Sequence, residues 1–538
     1  MQVIKFYRVN GNTYSNTLKY FYSLFEKPTL VSEKLAEFKL FKTFTKIITL
    51  IIAMDLQTTQ LLVVMITYLS LLILWGIYQG RKVKTSSDYA IAGRKLPGWV
   101  AALSERATGE SSWALLGLPG AAYATGLMEI WTALGCVIGI ITTWALLAWR
   151  LRDAAEELQV NTFTEFIAKR HGKMGKWIRI VGSATIVFFF FFYVGAQFLG
   201  GGKTLHTMFN IDAKLGMILT AVIIVPYTIY GGFRSVVYTD VIQAIMMIIT
   251  LIVGPIVGIK YIASHPELFA HNISDAITLA GPSYSSLTGS LKGLAAGIAI
   301  AGGLSWFFGY LGGQPQLSTR FMAIKDAKQA KQARNIGITW TVIAYIGALC
   351  IGWIGIAIFG PTGLQDREYV MPAVLLEIFP PIIAAVLITG AIAAMISTAD
   401  SLLILSASEL SENLIQPIIG EKRYKKRALL YSRIITALLA VVALLIAYYG
   451  ETDLIFSLVS YVWAGIGGTF SVVILLTLFW KRYHGVAALI TIIAGMSFTI
   501  FWITSGLEKQ ITSRMLTFFV ALAVAVLSTY LIPNKQNK

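Results

Sequence analysis

Residues 104–120 read SERATGESSWALLGLPG, which sets Glu105, Arg106 and Glu110 among glycine and proline in a stretch otherwise apolar enough to lie in hydrocarbon. Arg106 and Glu110 are four apart and share a helix face. Glycine and proline loosen the helical ladder, and irregular backbone at membrane depth persists only where protein buries it or it lines a wet cavity. Two readings are open. The three charges form a network that fixes helix packing, or the segment is an interrupted helix that offers backbone oxygens and a carboxylate to an ion. A second polar set lies in GAIAAMISTADSLLILSASELSEN, residues 390–413. At 100° per residue Ala394, Ser397, Thr398 and Ser401 fall on one side of a helix, with Asp400 beside Ser397. Hydroxyls, freed carbonyls and a carboxylate are hard oxygen ligands suited to an alkali cation. The plainer alternative is that the hydroxyls bond their own i−4 carbonyls. Asp240, in YTIYGGFRSVVYTDVIQ, is either a loop-end charge near an interface or a further ligand facing this stripe.

Other chemistries find little support. Cys136 and Cys350 both lie in apolar runs, so no disulfide or metal framework is readable. The five histidines (His171, His206, His265, His271 and His484) are scattered near the ends of apolar runs without metal-ligand spacing. No Walker motif or catalytic signature is present, so neither ATP-driven transport nor an enzyme is expected, and no cofactor beyond an ion. A net charge of +17 suggests nucleic acid at first sight. Cytoplasmic loops rich in Lys and Arg account for it instead.

The elements that must carry these residues are membrane helices. Of 538 residues, 56% are hydrophobic and 13% charged, more apolar surface than a soluble domain can hide. About 20 apolar residues are needed per crossing. Thirteen spans are expected, centred near residues 70, 110, 138, 188, 222, 250, 302, 348, 394, 438, 468, 495 and 523. Alternate connections hold the basic clusters, among them Arg81 to Lys95, Arg150 to Arg179, Arg320 to Arg334 and Lys422 to Arg427. The remaining connections hold only scattered cations such as Lys203, Lys214, Lys260 and Arg514. The positive-inside rule then puts the start of the first span outside and the C-terminus in the cytoplasm of a cell membrane, the bacterial inner membrane by expectation. Residues 1–53 carry eight Lys or Arg on the side marked as outside, and their apolar run KIITLIIAM lacks a signal-peptide form. They are expected to be an extension from an unused upstream start, with residues 54–538 as the transmembrane domain. The other reading is an interfacial N-terminal segment.

Residues 302–315, GGLSWFFGYLGGQP, hold five Gly and one Pro and mark a second interrupted span. The two breaks fall in the second and seventh spans. Interrupted helices at matching positions of two halves point to a transporter built from inverted repeats. Spans two to six and seven to eleven would be the repeats, with the first, twelfth and thirteenth peripheral. A channel would want rings of like side chains or a repeated filter motif. A membrane sensor would want an appended signalling domain. Neither is present in the sequence.

The segments DYAIAGRKLPGWV, WALLGLPGAAYATGL, TIYGGFRSVVYTDVIQ, GYLGGQPQLSTRFMA and AAMISTADSLL together resemble the solute:sodium symporter family, and within it the bacterial sodium/proline symporters, over roughly residues 55–480. The resemblance implies an all-α polytopic membrane protein with a LeuT-type inverted-repeat (5+5) core and about thirteen transmembrane helices. It implies inward symport of a small organic solute with Na+, proline or a related amino acid first. Pantothenate, sialic acid or another organic acid, or a transport-related sensor, are the alternatives. Carried across residue by residue, the main sodium site would use backbone oxygens of Ala107, Glu110 and Ala394 and the hydroxyls of Ser397 and Thr398. A second ion site would use Asp240, Ser397, Asp400 and Ser401. The solute would meet Tyr193, Trp306 and Tyr310. Sodium is the only metal implied. The partners are the solute, Na+ and the lipid bilayer, not nucleic acid; the sequence names no protein partner. Two departures stand out. Gly109 occupies the position of an aspartate of the proline symporters, with Glu110 next to it, and GYLGGQP carries one extra glycine.

Overall fold

The computed structural model describes residues 55–450 and 454–532; residues 1–53, with the expectations attached to them, lie outside the described residues. The chain divides after Gln60 into two units, the first described only over residues 55–60. Residues 61–538 form the second; among the described residues it consists of helices joined by turns and loops, with one isolated bridge between Leu96 and Ile324.

Among the described residues, eleven helical stretches are long and apolar enough to cross a membrane. All thirteen expected centres lie in helix, and two stretches reverse within themselves. Residues Gly98–Glu157 would run roughly 90 Å if straight. Yet the Trp144 Nε1–H donates to Glu105 Oε2 at 3.0 Å, so the chain doubles back, at the 3₁₀ turn Gly126–Glu129, where Gly126 has φ 65°. The helix Ala213–Ser264 likewise turns at Gly232, with φ 62° and ψ −177°. Thr228 bonds Asp400 while Asp240 bonds Ser397, which a straight helix could not manage.

The helix that carries the polar stripe, Pro381–Leu410, sits at the centre, with 83% of its apolar window buried. Leu56–Gly80, Gly485–Thr504 and Ser513–Leu531 have 28%, 33% and 33% buried, the peripheral positions expected of the first and last two spans. Lys426–Tyr449, at 28%, is equally peripheral although it belongs to the second repeat by order.

The two interrupted spans are both visible. The first runs as helix Gly98–Ser112, breaks at Ser111 (φ 47°, ψ −158°), and resumes through a π-helical turn at Trp113–Gly117 into Leu118–Thr125. Pro119 follows directly on the π-helical turn, within helical backbone that is continuous from Ser112. The second runs as Gly293–Leu304 and Trp306–Tyr310, opens over Leu311–Gln314 with Gly312 at φ 80°, and restarts at Pro315–Ala323. The far ends of the two interrupted spans are tied. Leu96 N–H donates to the Ala323 carbonyl (3.1 Å) and Lys325 N–H to the Leu96 carbonyl (2.9 Å).

Candidate functional site

Four helices meet at a buried ion pair. Arg320 Nη2 donates to Asp240 Oδ2 at 2.9 Å and to Ser401 Oγ at 2.6 Å, and Arg320 Nε donates to Ser104 Oγ at 2.7 Å. Ser104 and Ser397 both donate to the Asp240 carboxylate. Arg320, Asp240, Ser104, Ser397 and Ser401 are each at most 2% exposed. A carboxylate removed from water must be paired and hydrogen-bonded, and Asp240 is both. Asp240 is therefore a core residue, not a loop-end charge. Arg320 belongs to no loop, contrary to the basic cluster expected from the sequence. It extends from the short helix that restarts after the second break.

The second charged group lies one helical turn away on the first broken helix. Arg106 forms a bidentate pair with Glu105 and donates to Glu110 Oε1 at 2.8 Å and Thr341 Oγ1 at 3.1 Å. Glu105 also accepts from Trp144. The packing network is thus real, but Glu110 Oε2 is buried without a hydrogen bond of its own. Glu105, Glu110 and Asp240 are all buried, against the guanidiniums of Arg106 and Arg320. Formally the acids outnumber the bases, and a low-dielectric interior favours a cation that restores the balance.

Between these groups the polar-stripe helix touches the first broken helix. Thr398 Oγ1 lies 3.2 Å from the Thr108 carbonyl and 3.2 Å from the Ala394 carbonyl. Ser401 Oγ donates to the Ser397 carbonyl at 2.8 Å and lies 3.2 Å from Thr108 Oγ1. The i−4 bonding expected on the plainer reading is present, and both hydroxyls also reach across to Thr108. Ala394, Thr398 and the residues around Ala107 are brought together. Ser397 aims elsewhere, at Asp240, and the Glu110 carbonyl already accepts from Trp113 N–H. Asp400 accepts from Thr228, which is not part of the Arg320 cluster.

Next to the break at Ser111 lies an aromatic cluster. Tyr193, Trp306 and Tyr310 are all buried, and all three rings meet Trp463, with centroids 5.6, 5.7 and 5.3 Å away. Trp113 stacks on Trp306 at 4.1 Å, and Phe456 closes one side at 5.2 and 5.9 Å. The Tyr193 hydroxyl lies 3.2 Å from Ser111 Oγ, tying the cluster to the strained residue. The indole N–H groups of Trp306 and Trp463 are buried without partners, as are Ser112 Oγ and Gln314 Nε2. Buried donors left unpaired in a native interior need an explanation, and a polar ligand between the rings is one. Arg514, expected in a loop, lies buried with its guanidinium 4.5 Å from the Trp306 ring centre.

The three aromatic residues expected from the sequence are thus together, but half of the cluster is not among them. Trp113 stands inside WALLGLPG, and Trp463 stands in YVWAGIGG, whose π-helical turn Trp463–Gly468 brings Gly309 against the indole. A Cβ on Gly309 would lie 2.3 Å from Trp463 Cδ1. No local pattern in the sequence joins Gly309 to Trp463, so nothing there marked Trp463 as part of the cluster. Arg320 and Gln314 were legible only as part of GQPQLSTR.

A family model described as the sodium:solute symporter family matches residues 89–495. The osmoregulated proline transporter OpuE of Bacillus subtilis is 36% identical over 448 residues, covering 82% of this chain and 88% of the relative. The high-affinity proline transporter PutP of the same organism is 33% identical over 457 residues, 84% and 94% covered. The sodium/proline symporter of Staphylococcus aureus is 32% identical over 453 residues, 82% and 86% covered. Among solved structures, a Na+-coupled sialic acid symporter in a substrate-bound outward-open state superposes with a TM-score of 0.73 at 19% identity, covering 88% of this chain and 98% of that one. The fold is therefore of the LeuT type that the two interrupted spans indicate, in a multi-pass membrane transporter that is not an enzyme. With residues 89–495 matched and relatives above 30% identity along most of its length, the chain belongs to the sodium:solute symporter family.

Proposed function

We propose that this symporter carries proline or a closely related amino acid inward with sodium. The observation that carries the reading is the contact of the Thr398 hydroxyl with the Thr108 carbonyl beside the break at Ser111, next to an aromatic cluster with unpaired indole donors. Names carried by relatives above 30% identity support proline. The coupling ion binds among the backbone oxygens of Ala107 and Ala394 and the hydroxyl of Thr398; Ser397 and the Glu110 carbonyl, also expected as ligands, are engaged by Asp240 and by Trp113 N–H. The solute ring packs between Trp306, Tyr310 and Tyr193, and its carboxylate accepts from the free indole N–H groups of Trp306 and Trp463. An ion needs every oxygen that replaces its water, so each ligand matters to affinity.

The second ion site is proposed to be unused. Arg320 already holds Asp240 and Ser401, and a guanidinium there does the electrostatic work of a bound cation. One sodium per solute follows. The loop charges support a cytoplasmic C-terminus. Uptake into proteoliposomes over a panel of proline, other amino acids, pantothenate, sialic acid and sugars tests the reading. Sodium-gradient-driven accumulation of proline alone supports it. Accumulation of another solute and not proline, or accumulation indifferent to sodium, overturns it.

A further inference from the structure

Away from the transport centre, a cavity of about 670 Å³ opens between the start of the helix Gly175–Phe209 and the end of the stretch Pro381–Ile419. These helices run antiparallel, since Ser183 Oγ donates to Glu409 and Gly200 packs against Met395. The cavity therefore sits at one end of the molecule, where two membrane-crossing helices meet the loop at residues 171–174. One wall is basic, with Lys169, Lys176 and Arg179. The opposite wall is apolar, with Leu414, Pro417 and Ile418, and Ile418 is 81% exposed. Glu165 engages Lys169 at 3.2 Å and Arg179 at 3.1 Å, so one carboxylate serves two cations and Lys176 adds a third charge. The floor holds Asn413, only 2% exposed, whose Oδ1 has no partner.

We propose that this cavity is a binding site for an anionic phospholipid. A free phosphate would need only the cations. The apolar wall beside them, at the end of membrane helices, matches a molecule with a charged headgroup and an acyl chain. Basic pockets between membrane helices near the headgroup level bind such lipids. The headgroup phosphate faces Lys176 and Arg179. A glycerol or sugar hydroxyl of the headgroup donates to Asn413 Oδ1. The first acyl carbons lie on Leu414 and Ile418. Asn413 Nδ2 in turn donates to Glu409, Thr164 and Ser183, so the lipid rests on a buried network that links the helix Phe163–Arg170 to the two walls. Binding therefore braces these helices against one another.

Native mass spectrometry of the full chain, exchanged into mixtures of phosphatidylglycerol and phosphatidylcholine, tests the proposal. Wild-type protein is expected to retain phosphatidylglycerol at least fivefold over phosphatidylcholine. The double variant K176Q/R179Q is expected to lose that preference, and K173Q, at an exposed lysine outside the cavity, to keep it. I418N is expected to weaken lipid retention with the cations intact, and excess inorganic phosphate is expected not to displace the lipid. Equal retention of the two lipids by wild type overturns the proposal. So does an unchanged preference in K176Q/R179Q, or displacement by inorganic phosphate, which would make the cavity a simple anion site. Melting temperatures of all variants separate misfolding from lost binding, and a well-folded K176Q/R179Q with intact preference counts against the site.

Discussion

At the residue scale the account turns on which polar atoms hold the fold and which are left for a ligand. Thr398 touches a carbonyl of the first broken helix, and Ser397 does not. Removing a hydroxyl that helps hold a charge costs about 1.5–3 kcal/mol, or roughly ten- to hundredfold in affinity. T398A is therefore expected to raise the sodium concentration for half-maximal uptake by about that factor while uptake at saturating sodium is preserved. An unchanged sodium curve would remove Thr398 from the ion site. Glu105 and Glu110 should part company. Glu105 is saturated by Arg106 and Trp144, so E105Q is expected to lower the melting temperature with modest loss of transport. Glu110 keeps one oxygen free, so E110Q is expected to leave stability nearly intact and to cut transport severely. Equal effects on transport would favour a purely structural trio. The Arg320–Asp240 pair gives a third contrast. R320M leaves a buried carboxylate unpaired and is expected to destabilise by about 3–5 kcal/mol in chemical denaturation, whereas R320M/D240L recovers most of it. If the double variant is no more stable than the single, the pair is not what holds these helices. Asp240 and the stripe could be read from the sequence because polar residues in apolar runs are conspicuous. Arg320 could not, because a cation just past GYLGGQPQLST looks like the start of a basic loop.

At the element scale the two interruptions were legible from glycine and proline, but their positions were not. The first break falls at Ser111, a residue with positive φ and a side chain, while Gly109 stays helical. Non-glycine residues held in such a conformation cost about 1–3 kcal/mol and persist where the surroundings over-determine them. Here Ser111 Oγ accepts from Trp113 N–H and meets the Tyr193 hydroxyl. The second break brings Gly309 onto the Trp463 indole, a contact between residues more than 150 positions apart that no local pattern reveals. G309A places a Cβ against that ring and is expected to raise the KM for the solute at least tenfold, with W463A having a comparable effect. A normal KM in both would move the solute site away from the cluster. Trp113, Phe456 and Trp463 escaped the sequence reading for a related reason. An aromatic residue in an apolar span faces lipid, core or ligand with the same sequence signature.

At the scale of the whole molecule, a bundle of membrane-spanning helices followed from composition, since a bilayer admits few backbone solutions, whereas the shallow burial of Lys426–Tyr449 did not. The reversals at Gly126 and Gly232 fall between the expected centres at 110 and 138 and at 222 and 250; the sequence did not show that helix continues up to each turn. Ion pairs close the opposite end of the molecule from the basic clusters. Lys203 pairs with Asp366 at 2.6 Å and Glu368 at 2.7 Å, and Glu368 accepts the N–H groups of Ile455 and Phe456. Because Phe456 belongs to the aromatic cluster, this clasp connects the surface to the proposed solute site. The central claim is that solute and sodium meet where the break at Ser111, the stripe at Thr398 and the cluster at Trp463 converge. Proline uptake into proteoliposomes under an imposed sodium gradient, with wild type, T398A and W306A measured side by side, tests it most directly. Wild type is predicted to accumulate proline only with the gradient, T398A to need more sodium at unchanged proline affinity, and W306A to need more proline at unchanged sodium affinity. An unchanged sodium affinity in T398A, an unchanged proline affinity in W306A, or proline accumulation that persists without sodium would contradict the account.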